Sequence, residues 1–418
     1  MKQVLIHNAT VSIENVPAPL PESGSVLVQV CNSCISTGTE LAGIREPDAP
    51  LWRRALEDPS KIAKAVRMAA KRGLRHTANV AVGTPRPSHP SGYSAAGIVT
   101  EVGESVQRFR VGDRVACAGG GYAFHAEYIS VPENLCCPIP DDLDFTSAST
   151  VTIGAIALQG IRRAEPTLGE TFVVIGLGAL GQLTAQMLKA NGCSVIGIDL
   201  DDNRVAIGES LGVDVAVRRD CVDSESADVW RRTDGVGADG VIVTAASSSD
   251  EILSAAFQMC RKKARVVLVG DVGLNIQRAD IYKKELDFRI STSYGPGRYD
   301  RSYEEDGNDY PISYVRWTEN RNMSEYLQLL SAGCVRVDPL LNVRMPLEQA
   351  SDAYDALRGQ TPRPILAVLE YGKAEPPDVS RVIQYQGMKR GGDGRINLAI
   401  IGAGQYAKSA HLPNLAAN

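Results

Sequence analysis

The spacing most indicative of chemistry is a set of three glycines, Gly176, Gly178 and Gly181, between the apolar run FVVIG and the helical stretch Gln182–Lys189. Glycines at these intervals permit a tight turn, the close approach of a pyrophosphate and tight packing of helix on strand. The helix N-terminus then stabilises the negative charge. The next apolar run ends at Asp199, where a carboxylate would accept hydrogen bonds from ribose hydroxyls. Turn and carboxylate together predict a dinucleotide site.

The same carboxylate bears on which dinucleotide binds. Asp199 would repel a ribose 2′-phosphate, so the sequence favours NAD(H), while the nearby Arg204 leaves NADP(H) open. The other residues predicted to contact the cofactor are Thr152, Leu180 and Gly270. A second glycine turn at residues 402–407 lacks a following strand and its acidic residue, so we expect it to be incomplete.

The elements that would position this site alternate through the middle of the chain. Between about Ile156 and Ser293, each β run is followed by a glycine turn or a helical stretch, which predicts an α/β fold with a parallel, doubly wound sheet. The predicted strands are Phe172–Ile175, Val195–Ile198, Gly240–Val243 and Ala264–Val269. We assign residues 156–295 to a dinucleotide-binding domain of the Rossmann type.

The N-terminal part has short β runs between glycine and proline turns, a pattern that predicts a small β-barrel. Its predicted strands are Val4–Ile6, Ser25–Val30, Gly97–Val102 and Asp113–Ala116. Further along, helical spacing predicts helices at Met323–Ala332 and Leu347–Arg358 before a closing strand at Pro364–Leu369.

These patterns give the predicted domain organisation. Residues 1–155 and 296–371 form the barrel domain, with a helical insertion at about 47–80. A linker at 372–395, rich in proline, glycine and charge, leads to the incomplete start of another dinucleotide-binding domain at 396–418.

Composition excludes several classes of protein. The chain has 418 residues, of which 44% are hydrophobic and 22% charged, and it has no apolar run long enough for a membrane helix. A net charge of −5 argues against general binding of nucleic acid. No secretory signal is visible at the start, and nine scattered cysteines suit a reducing compartment, so we expect a cytoplasmic protein with free thiols.

The barrel signatures Gly97–Val102 and Gly112–Val115, followed by the dinucleotide domain and a return segment, resemble the medium-chain dehydrogenase/reductase superfamily over residues 1 to about 371. That resemblance implies a catalytic domain of the GroES-like type. The segments Gly38–Glu40, Gly92–Ser94 and His125–Tyr128, with 293–299 and 314–319, look more closely like the bi-domain oxidoreductases of polysaccharide biosynthesis. Those enzymes fuse a second oxidoreductase, similar to glucose-fructose oxidoreductase and inositol dehydrogenase, of which residues 396–415 look like the opening strand and helix.

The resemblance also indicates that a catalytic metal is missing. Zinc-dependent members carry a cysteine before Gly-Thr-Asp, a His-Glu pair after a glycine and a later third ligand. This sequence has Thr37, Tyr93-Ser94 and Thr150–Thr152 at those places, and it lacks the four-cysteine lobe of a structural zinc. Cys31 and Cys34 have metal-ligand spacing but no second pair, which favours a structural thiol pair at a strand end. We predict no zinc.

Without a Lewis acid, hydride transfer to or from a carbonyl still needs a group that polarises the oxygen and exchanges its proton. Tyr93 matches a zinc-ligand position, and Thr39 matches the proton-relay hydroxyl of zinc relatives. His125 could relay a proton, although a histidine in a strand is often structural. Glu40 matches an acid that orients a ligand histidine in the relatives. We predict Thr39, Tyr93 and His125 as the catalytic residues.

Substrate residues are predicted from the aromatic segment that follows the dinucleotide domain. Aromatic faces suit stacking on sugar rings, and arginines suit charged groups. The candidates are Glu40, Tyr294, Arg298 and Trp317. Eight cations in the insertion could steer a diphosphate-bearing substrate or could be a solvated helix face. With the resemblance added, an alcohol–ketone oxidoreductase acting on a sugar or nucleotide-linked sugar is favoured.

Two alternatives remain at this point. Metal-free members of the superfamily include quinone and enoyl reductases, which reduce activated double bonds. The chain could also be an NAD-binding scaffold for the fused second oxidoreductase. Superfamily members commonly dimerise through a sheet edge, and Phe288–Ser293 is the analogous strand here, so we expect a homodimer.

Overall fold

A computed structural model describes residues 1–7, 10–38, 40, 88–218, 222–359, 362–372, 404, 407 and 411–417. Thr39, the predicted insertion at 47–80, residues 373–395 of the predicted linker and most of 396–418 lie outside the described residues. No helix in the described part is long and apolar enough to cross a membrane.

The chain divides into two compact units. One comprises Met1–Leu5, Val11–Gly43 and Pro90–Arg381, and it holds every site residue described below. The other comprises Ile6–Thr10, Ile44–His89 and Val382–Asn418, of which the structure describes short stretches.

Eighteen strands are numbered in chain order through the described residues. They are β1 (Lys2–His7), β2 (Thr10–Asn15), β3 (Ser25–Ser36), β4 (His89–Pro90), β5 (Ser94–Val102), β6 (Arg114–Ala118), β7 (Tyr128–Pro132), β8 (Cys136–Pro138), β9 (Thr171–Ile175), β10 (Ser194–Asp199), β11 (Val215–Arg218), β12 (Ala238–Val243), β13 (Ala246–Ser247), β14 (Cys260–Leu268), β15 (Asp271–Val272), β16 (Asp287–Ile290), β17 (Leu341–Pro346) and β18 (Leu366–Glu370).

The α-helices of the described part are α1 (Phe145–Ala148), α2 (Val151–Ala164), α3 (Ala179–Ala190), α4 (Asp202–Ser210), α5 (Val222–Arg232), α6 (Glu251–Met259), α7 (Arg278–Tyr282), α8 (Arg301–Glu304), α9 (Glu319–Ser331), α10 (Ala350–Gly359) and α11 (Leu412–Ala417). Short 3-10 helices lie at Glu133–Leu135, Asp338–Leu340 and Leu347–Gln349.

A six-stranded parallel sheet forms the dinucleotide-binding part, with strand order β11-β10-β9-β12-β14-β16. Its central strands are continuous apolar runs, with Phe172–Ile175 buried throughout, because helices cover both faces of a sheet of this type. The prediction of an α/β fold with a doubly wound parallel sheet is confirmed.

A seven-stranded sheet forms the other part, in the order β17-β18-β3-β5-β6-β8, with β7 also paired to β3. All its pairs are antiparallel except β17 with β18. Because Leu366 pairs with Ser36 and Glu370 with Asn32, the late strand β18 returns to the N-terminal sheet. The exact boundary between the two domains stays a prediction.

Several predicted element bounds were wrong. Strand β3 was expected to end at Val30 but runs to Ser36, because β5 and β18 flank this polar stretch on both sides. Cys31 and Cys34 therefore lie inside a strand rather than at its end. Helix α9 was expected from Met323 but begins at Glu319, because the Thr318 side chain accepts a hydrogen bond from the Arg321 amide and caps it.

Two further elements differ from the expectation. Helix α2 was not predicted at all, since it contains two glycines, Gly154 and Gly160, which disfavour a helix interior. The predicted edge strand Phe288–Ser293 is shorter, as β16 ends at Ile290, but it does lie at the edge of the parallel sheet. The homodimer itself stays a prediction.

Candidate active site

The predicted glycine turn joins β9 to α3, as its spacing requires. Gly176 has a φ of +95°, and a Cβ there would lie 2.8 Å from the backbone nitrogen of Ala245. A Cβ on Gly181 would lie 1.8 Å from the carbonyl oxygen of Gly176. The close approach of turn, helix and neighbouring strand thus depends on glycine at both positions. The turn leads into the N-terminus of α3, where backbone amides favour a bound pyrophosphate.

Asp199 ends strand β10 beside this turn and is 8% exposed. Its Oδ2 accepts a 2.6 Å hydrogen bond from the Leu177 amide, and its Oδ1 accepts one of 3.0 Å from Asp201. A carboxylate has further lone pairs, so it can still accept from ribose hydroxyls. Arg204 Nη1 lies 3.7 Å from Asp199 Oδ2. The two residues predicted to decide between NAD and NADP are therefore an ion pair.

Two other predicted cofactor residues, Leu180 and Gly270, lie close to the same edge of the sheet. Leu180 is in the first turn of α3, and Gly270 follows β14. A Cβ on Gly270 would lie 2.0 Å from the carbonyl oxygen of Ala245, so the backbone there is tightly packed against the loop after β12. Thr152 is fully buried, and its hydroxyl donates a 2.9 Å hydrogen bond to the carbonyl oxygen of Tyr93. Thr152 thus ties α2 to the predicted catalytic tyrosine.

Tyr93 lies just before β5 and is half-buried. Its hydroxyl donates a 2.7 Å hydrogen bond to Ser36 Oγ, at the end of β3. The carbonyl oxygen of Tyr93 also accepts from the Gly119 amide at 3.0 Å. The structure therefore holds the Tyr93 phenol against a second hydroxyl that sequence reasoning did not single out.

Hydroxyl groups occupy the positions that resemble zinc ligands. The Thr150 hydroxyl donates to the Ser147 carbonyl at 2.7 Å, and the Ser94 hydroxyl donates to that of Ser149 at 2.6 Å. Neutral hydroxyls of threonine and tyrosine are poor ligands for zinc compared with thiolate, imidazole or carboxylate. Across the described ranges, no group of three or more His, Cys, Asp or Glu side chains is arranged to hold a metal ion. The donor set at these positions does not fit zinc.

Glu40 lies at the centre of a buried network of hydrogen bonds. Its Oε2 accepts from His125 Nε2 at 2.9 Å and from the Ser91 hydroxyl at 3.0 Å. The Tyr354 hydroxyl donates to the same oxygen, and Oε1 accepts from the Ser36 amide at 3.2 Å. The carboxylate therefore links β3 to α10 and to the segment before β5.

His125 extends this network on its other side. Its Nδ1 lies 2.7 Å from Ser33 Oγ, and that oxygen lies 2.9 Å from the Tyr371 hydroxyl. The imidazole is fully buried and both ring nitrogens are engaged. His125 thus occupies the interior of the domain, where it orients Glu40.

The pKa of Glu40 shows how the network acts on the acid. Burial on its own would raise this pKa. The attraction of His125 and the hydrogen bonds that Glu40 accepts lower it, and together they outweigh the effect of burial. The result is a pKa below the ordinary value of 4.5. Glu40 is therefore a carboxylate at neutral pH.

The predicted substrate residues Tyr294 and Arg298 lie in the loop of residues 293–299, after β16. Arg298 Nη1 donates to Glu304 Oε1 at 2.5 Å, so its charge is already paired. The Tyr294 ring is buried, with its centroid 5.5 Å from the Arg298 guanidinium carbon. Trp317 has the guanidinium carbons of Arg162 and Arg316 at 3.5 Å and 3.8 Å from its ring centroid. Two cations therefore already contact the ring that was predicted to stack on a sugar.

Glu319, the first residue of α9, lies against this loop and was not predicted. It is fully buried, and neither carboxyl oxygen has a hydrogen-bond partner among the described residues. Burial and the repulsion of Glu304, only partly offset by Arg298, raise its pKa to about 9. An acid that directly follows a capping threonine is expected in the solvated first turn of a helix. No sequence signal therefore indicated that Glu319 is buried.

Two family models match the chain: an alcohol dehydrogenase GroES-like domain over residues 68–141 and a zinc-binding dehydrogenase over residues 179–305. The (R,R)-butanediol dehydrogenase of Bacillus subtilis (strain 168) is 28% identical over 315 residues, which are 68% of this chain and 82% of that protein. The solved structure of 2R,3R-butanediol dehydrogenase from Bacillus subtilis has a TM-score of 0.66 at 22% identity and covers 88% of this chain and 99% of its own. Galactitol-1-phosphate dehydrogenase from Escherichia coli has a TM-score of 0.64 at 17% identity, over 88% and 100%.

A parallel sheet with a glycine turn, joined to a GroES-like domain, defines an oxidoreductase of the nucleotide-dependent alcohol dehydrogenase type. The chain has the fold of the medium-chain dehydrogenase/reductase superfamily and is a dehydrogenase or reductase. Enzymes of this superfamily generally use NAD or NADP, and the residues around Gly176 and Asp199 fit such a dinucleotide.

Proposed function

We propose that the chain is a zinc-independent, NAD(H)-dependent oxidoreductase that interconverts an alcohol and a ketone on a sugar-type substrate. The observation that carries this proposal is the 2.7 Å hydrogen bond between the hydroxyls of Tyr93 and Ser36. Two hydroxyls in contact can exchange a proton, and Tyr93 matches a zinc-ligand position in the resemblance to the zinc enzymes, which supports the proposal. The names butanediol dehydrogenase and galactitol-1-phosphate dehydrogenase put polyol substrates among the relatives, which supports the substrate class.

The dinucleotide would bind along the turn from Gly176 to Gly181, with Asp199 accepting from its ribose. When bound, its nicotinamide supplies the acceptor or donor of hydride. We favour NAD because the Asp199 carboxylate accepts from ribose hydroxyls and would repel the negative charge of a ribose 2′-phosphate. Arg204, already paired with Asp199 at 3.7 Å, would have to leave that carboxylate to bind a 2′-phosphate.

The protein's own part in the reaction is proton transfer at the substrate oxygen. In the reducing direction, that oxygen gains negative charge as hydride arrives at its carbon, and Tyr93 Oη donates a proton to it. The phenol then regains its proton through the Ser36 hydroxyl, which passes its own proton to Tyr93 as it takes one from a water molecule. In the oxidising direction, the alcohol proton follows the same two oxygens in reverse. Thr39 lies outside the described residues and stays a predicted catalytic residue.

Glu40 and His125 act in this proposal as positioning residues. The Glu40 carboxylate holds the Ser36 amide at 3.2 Å, and His125 holds the carboxylate at 2.9 Å. Loss of either contact would shift Ser36 and, through it, the Tyr93 phenol. A misplacement of about 1 Å at a reacting group can lower a rate about 100-fold.

The first experiment tests the cofactor and the metal together. Fluorescence titration should show NADH binding more tightly than NADPH, and metal analysis of the active protein should find no stoichiometric zinc. Asp199→Asn should weaken NADH binding by about tenfold, because one charged acceptor is lost. Asp202→Asn, in the exposed first residue of α4, is the matched control and should not change it. Stoichiometric zinc, or no binding of NADH, would refute the proposal.

The second experiment tests the hydroxyl pair. Tyr93→Phe should lower kcat on sugar alcohols or their ketones by about 100-fold or more with little change in KM for the dinucleotide. Tyr122→Phe removes a hydroxyl that bonds Glu305 at 3.3 Å and serves as the matched control. A chain that binds NADH tightly but turns over no alcohol or ketone would favour the scaffold alternative. Turnover of quinones or enones that survives Tyr93→Phe would favour the double-bond reductase.

A further inference from the structure

The loop of residues 293–299 is surrounded by buried polar atoms that have no hydrogen-bond partner among the described residues. Of the fourteen such side-chain atoms in the described part, five belong to four side chains at this loop. They are the hydroxyl of Tyr294, Nε of Arg298, both carboxyl oxygens of Glu319 and Oδ1 of Asn322. This concentration sets the loop apart from the rest of the chain. We name these four side chains the loop cluster.

The four side chains of the loop cluster lie together. The Asn322 amide donates to the Tyr294 carbonyl at 3.0 Å, and Arg298 stacks near the Tyr294 ring. Glu319 Oε1 lies 3.1 Å from where a Cβ on Gly297 would be, so glycine at 297 leaves the carboxyl group its space. Donors and acceptors of hydrogen bonds thus converge on one small region.

The backbone of the loop is strained at its two ends. Ser293 and Tyr299 have φ values of 48° and 68°, in the left-handed region that side chains other than glycine rarely adopt. Gly295 and Gly297 have φ values of 121° and 108°. Strain of this kind persists where the surrounding structure enforces it, and it is concentrated at ligand sites.

We propose that the loop cluster binds the hydroxyl groups of an uncharged polyol. These hydroxyls belong to the part of the substrate that is remote from the reacting carbon. Each hydroxyl of a polyol both donates and accepts. It can therefore satisfy the Glu319 oxygens and Asn322 Oδ1 as acceptors, and the Tyr294 hydroxyl and Arg298 Nε as donors. A buried polar group without a partner is costly, so a ligand that supplies partners gains that free energy on binding.

The charges of the loop cluster exclude an anion as the preferred ligand. The one cation, Arg298, is neutralised by Glu304 at 2.5 Å, and a second acid, Glu319, lies beside it. A phosphate would therefore meet acids without an available cation. Because the pKa of Glu319 is raised to about 9, its carboxyl group is protonated at neutral pH. It can therefore donate a hydrogen bond as well as accept one.

This inference deepens the proposed function and rests on it for the statement that the polyol is the substrate. Two hydrogen bonds connect the residues that follow the loop with the segment that carries Tyr93. Tyr122 Oη donates to Glu305 at 3.3 Å, close after the loop, and the turn that holds Tyr122 donates from Gly119 to the Tyr93 carbonyl.

The test measures binding directly on the full chain, with saturation-transfer NMR and xylitol and D-sorbitol as probes. Tyr294→Phe and Glu319→Leu should each weaken polyol binding by about tenfold, because each removes partners of ligand hydroxyls. Gln328→Leu, an exposed position on the same helix, is the matched control and should bind like the wild type. Sorbitol 6-phosphate should bind more weakly than sorbitol to the wild type.

A pH series separates recognition from mere stability. Polyol affinity of the wild type should fall as the pH rises through about 9, where Glu319 loses its proton. Glu319→Gln, which keeps a donor and cannot ionise, should bind without that fall. Equal binding of xylitol by wild type, Tyr294→Phe and Glu319→Leu would overturn the proposal, as would a preference for the phosphate ester.

The outcome stays distinct from that of the proposed function, because NMR binding needs no hydride transfer. If no alcohol is oxidised but the variants weaken polyol binding, the dehydrogenase proposal fails and the polyol site stands. If alcohols are oxidised with equal binding by all variants, the reverse holds.

Discussion

Glu40 and Glu319 are two glutamates of the same domain that differ in one respect. Both side chains are almost inaccessible, at 8% and 0% exposure. Glu40 accepts hydrogen bonds from four groups and has a lowered pKa, whereas Glu319 accepts none from the described residues and has a pKa raised to about 9. Burial opposes ionisation at both sites, so the donors around the carboxyl group decide the result.

The comparison separates two uses of a buried acid. Around Glu40, strands and a helix are joined by a saturated network, and such networks rigidify the structure that they connect. Around Glu319, polar atoms are buried without partners beside a strained loop, which costs stability and suits a site that a ligand completes. Variants at the two positions should therefore shift stability in opposite directions.

The largest effect is expected for Glu40→Gln. The replacement amide presents hydrogens to donors such as His125 and Tyr354, and it leaves them unsatisfied in the interior. Breaking one partner of a buried charged network costs about 3–5 kcal/mol, so the free energy of unfolding from urea melts should fall by that order. Glu209→Gln, on the exposed side of α4, is the control and should lie within about 0.5 kcal/mol of the wild type. A cost below about 1 kcal/mol would show that the network does not hold the domain together.

The same network sets a pH dependence on the acid side. Because the pKa of Glu40 in the folded chain lies below its ordinary 4.5, its contribution to stability is full above that pH. The contribution is lost as the pH falls through the lowered folded value. As the pH is lowered from neutral into the acid range, Glu40→Gln should therefore lose less stability than the wild type. An identical acid limb in thermal melts of the two proteins would contradict this prediction.

A smaller effect of opposite sign is expected for Glu319→Gln. With a folded pKa of about 9 against an ordinary 4.5, Glu319 makes the wild type most stable below 4.5, and stability is lost as the pH rises towards 9. The glutamine cannot ionise, so the variant should gain about 1–3 kcal/mol on the wild type at alkaline pH and little at acid pH. Thermal melts from pH 5 to pH 9 measure the difference. A variant that is less stable than the wild type at pH 9 would show that Glu319 has a partner as a carboxylate.

The sequence predicted the dinucleotide turn because its determinants are local. Gly176, Gly181 and Asp199 are placed by one strand, one turn and the next strand, and the chemistry depends on backbone amides and one carboxylate. Such a site can be read from spacing. The parallel sheet followed for the same reason, since alternating apolar runs and helices predict it.

The network around Glu40 could not be predicted in this way. Its members Ser33, Ser91, His125, Tyr354 and Tyr371 come from segments up to about 340 residues apart, and β18 must pair with β3 before they meet. The resemblance to zinc enzymes pointed to Tyr93 and Glu40, and proton-transfer chemistry pointed to His125, but neither pointed to the partners of these residues.

The loop cluster was missed for a different reason. The sequence does not show which side chains surround each of its members. Tyr294 and Arg298 were predicted to bind substrate from residue type alone. Their surroundings depend on Glu304 and Glu319, whose burial results from the path of the chain after β16. No periodicity in the sequence reports that path, because the loop is irregular.

The smallest and sharpest test compares two tyrosines that lose the same atom. The Tyr354 hydroxyl donates to Glu40 and lies 2.7 Å from Ser91 Oγ, whereas the Tyr294 hydroxyl has no partner among the described residues. Tyr354→Phe should cost about 1.5–3 kcal/mol, the value of a hydrogen bond to a charged group. Tyr294→Phe should be neutral or slightly stabilising, since it removes a buried hydroxyl that bonds nothing. Urea midpoints of the two variants, measured side by side at neutral pH, decide the matter. Equal costs would mean that Tyr294 has a partner in solution, and the contrast between a saturated and an unsaturated buried site would then be lost.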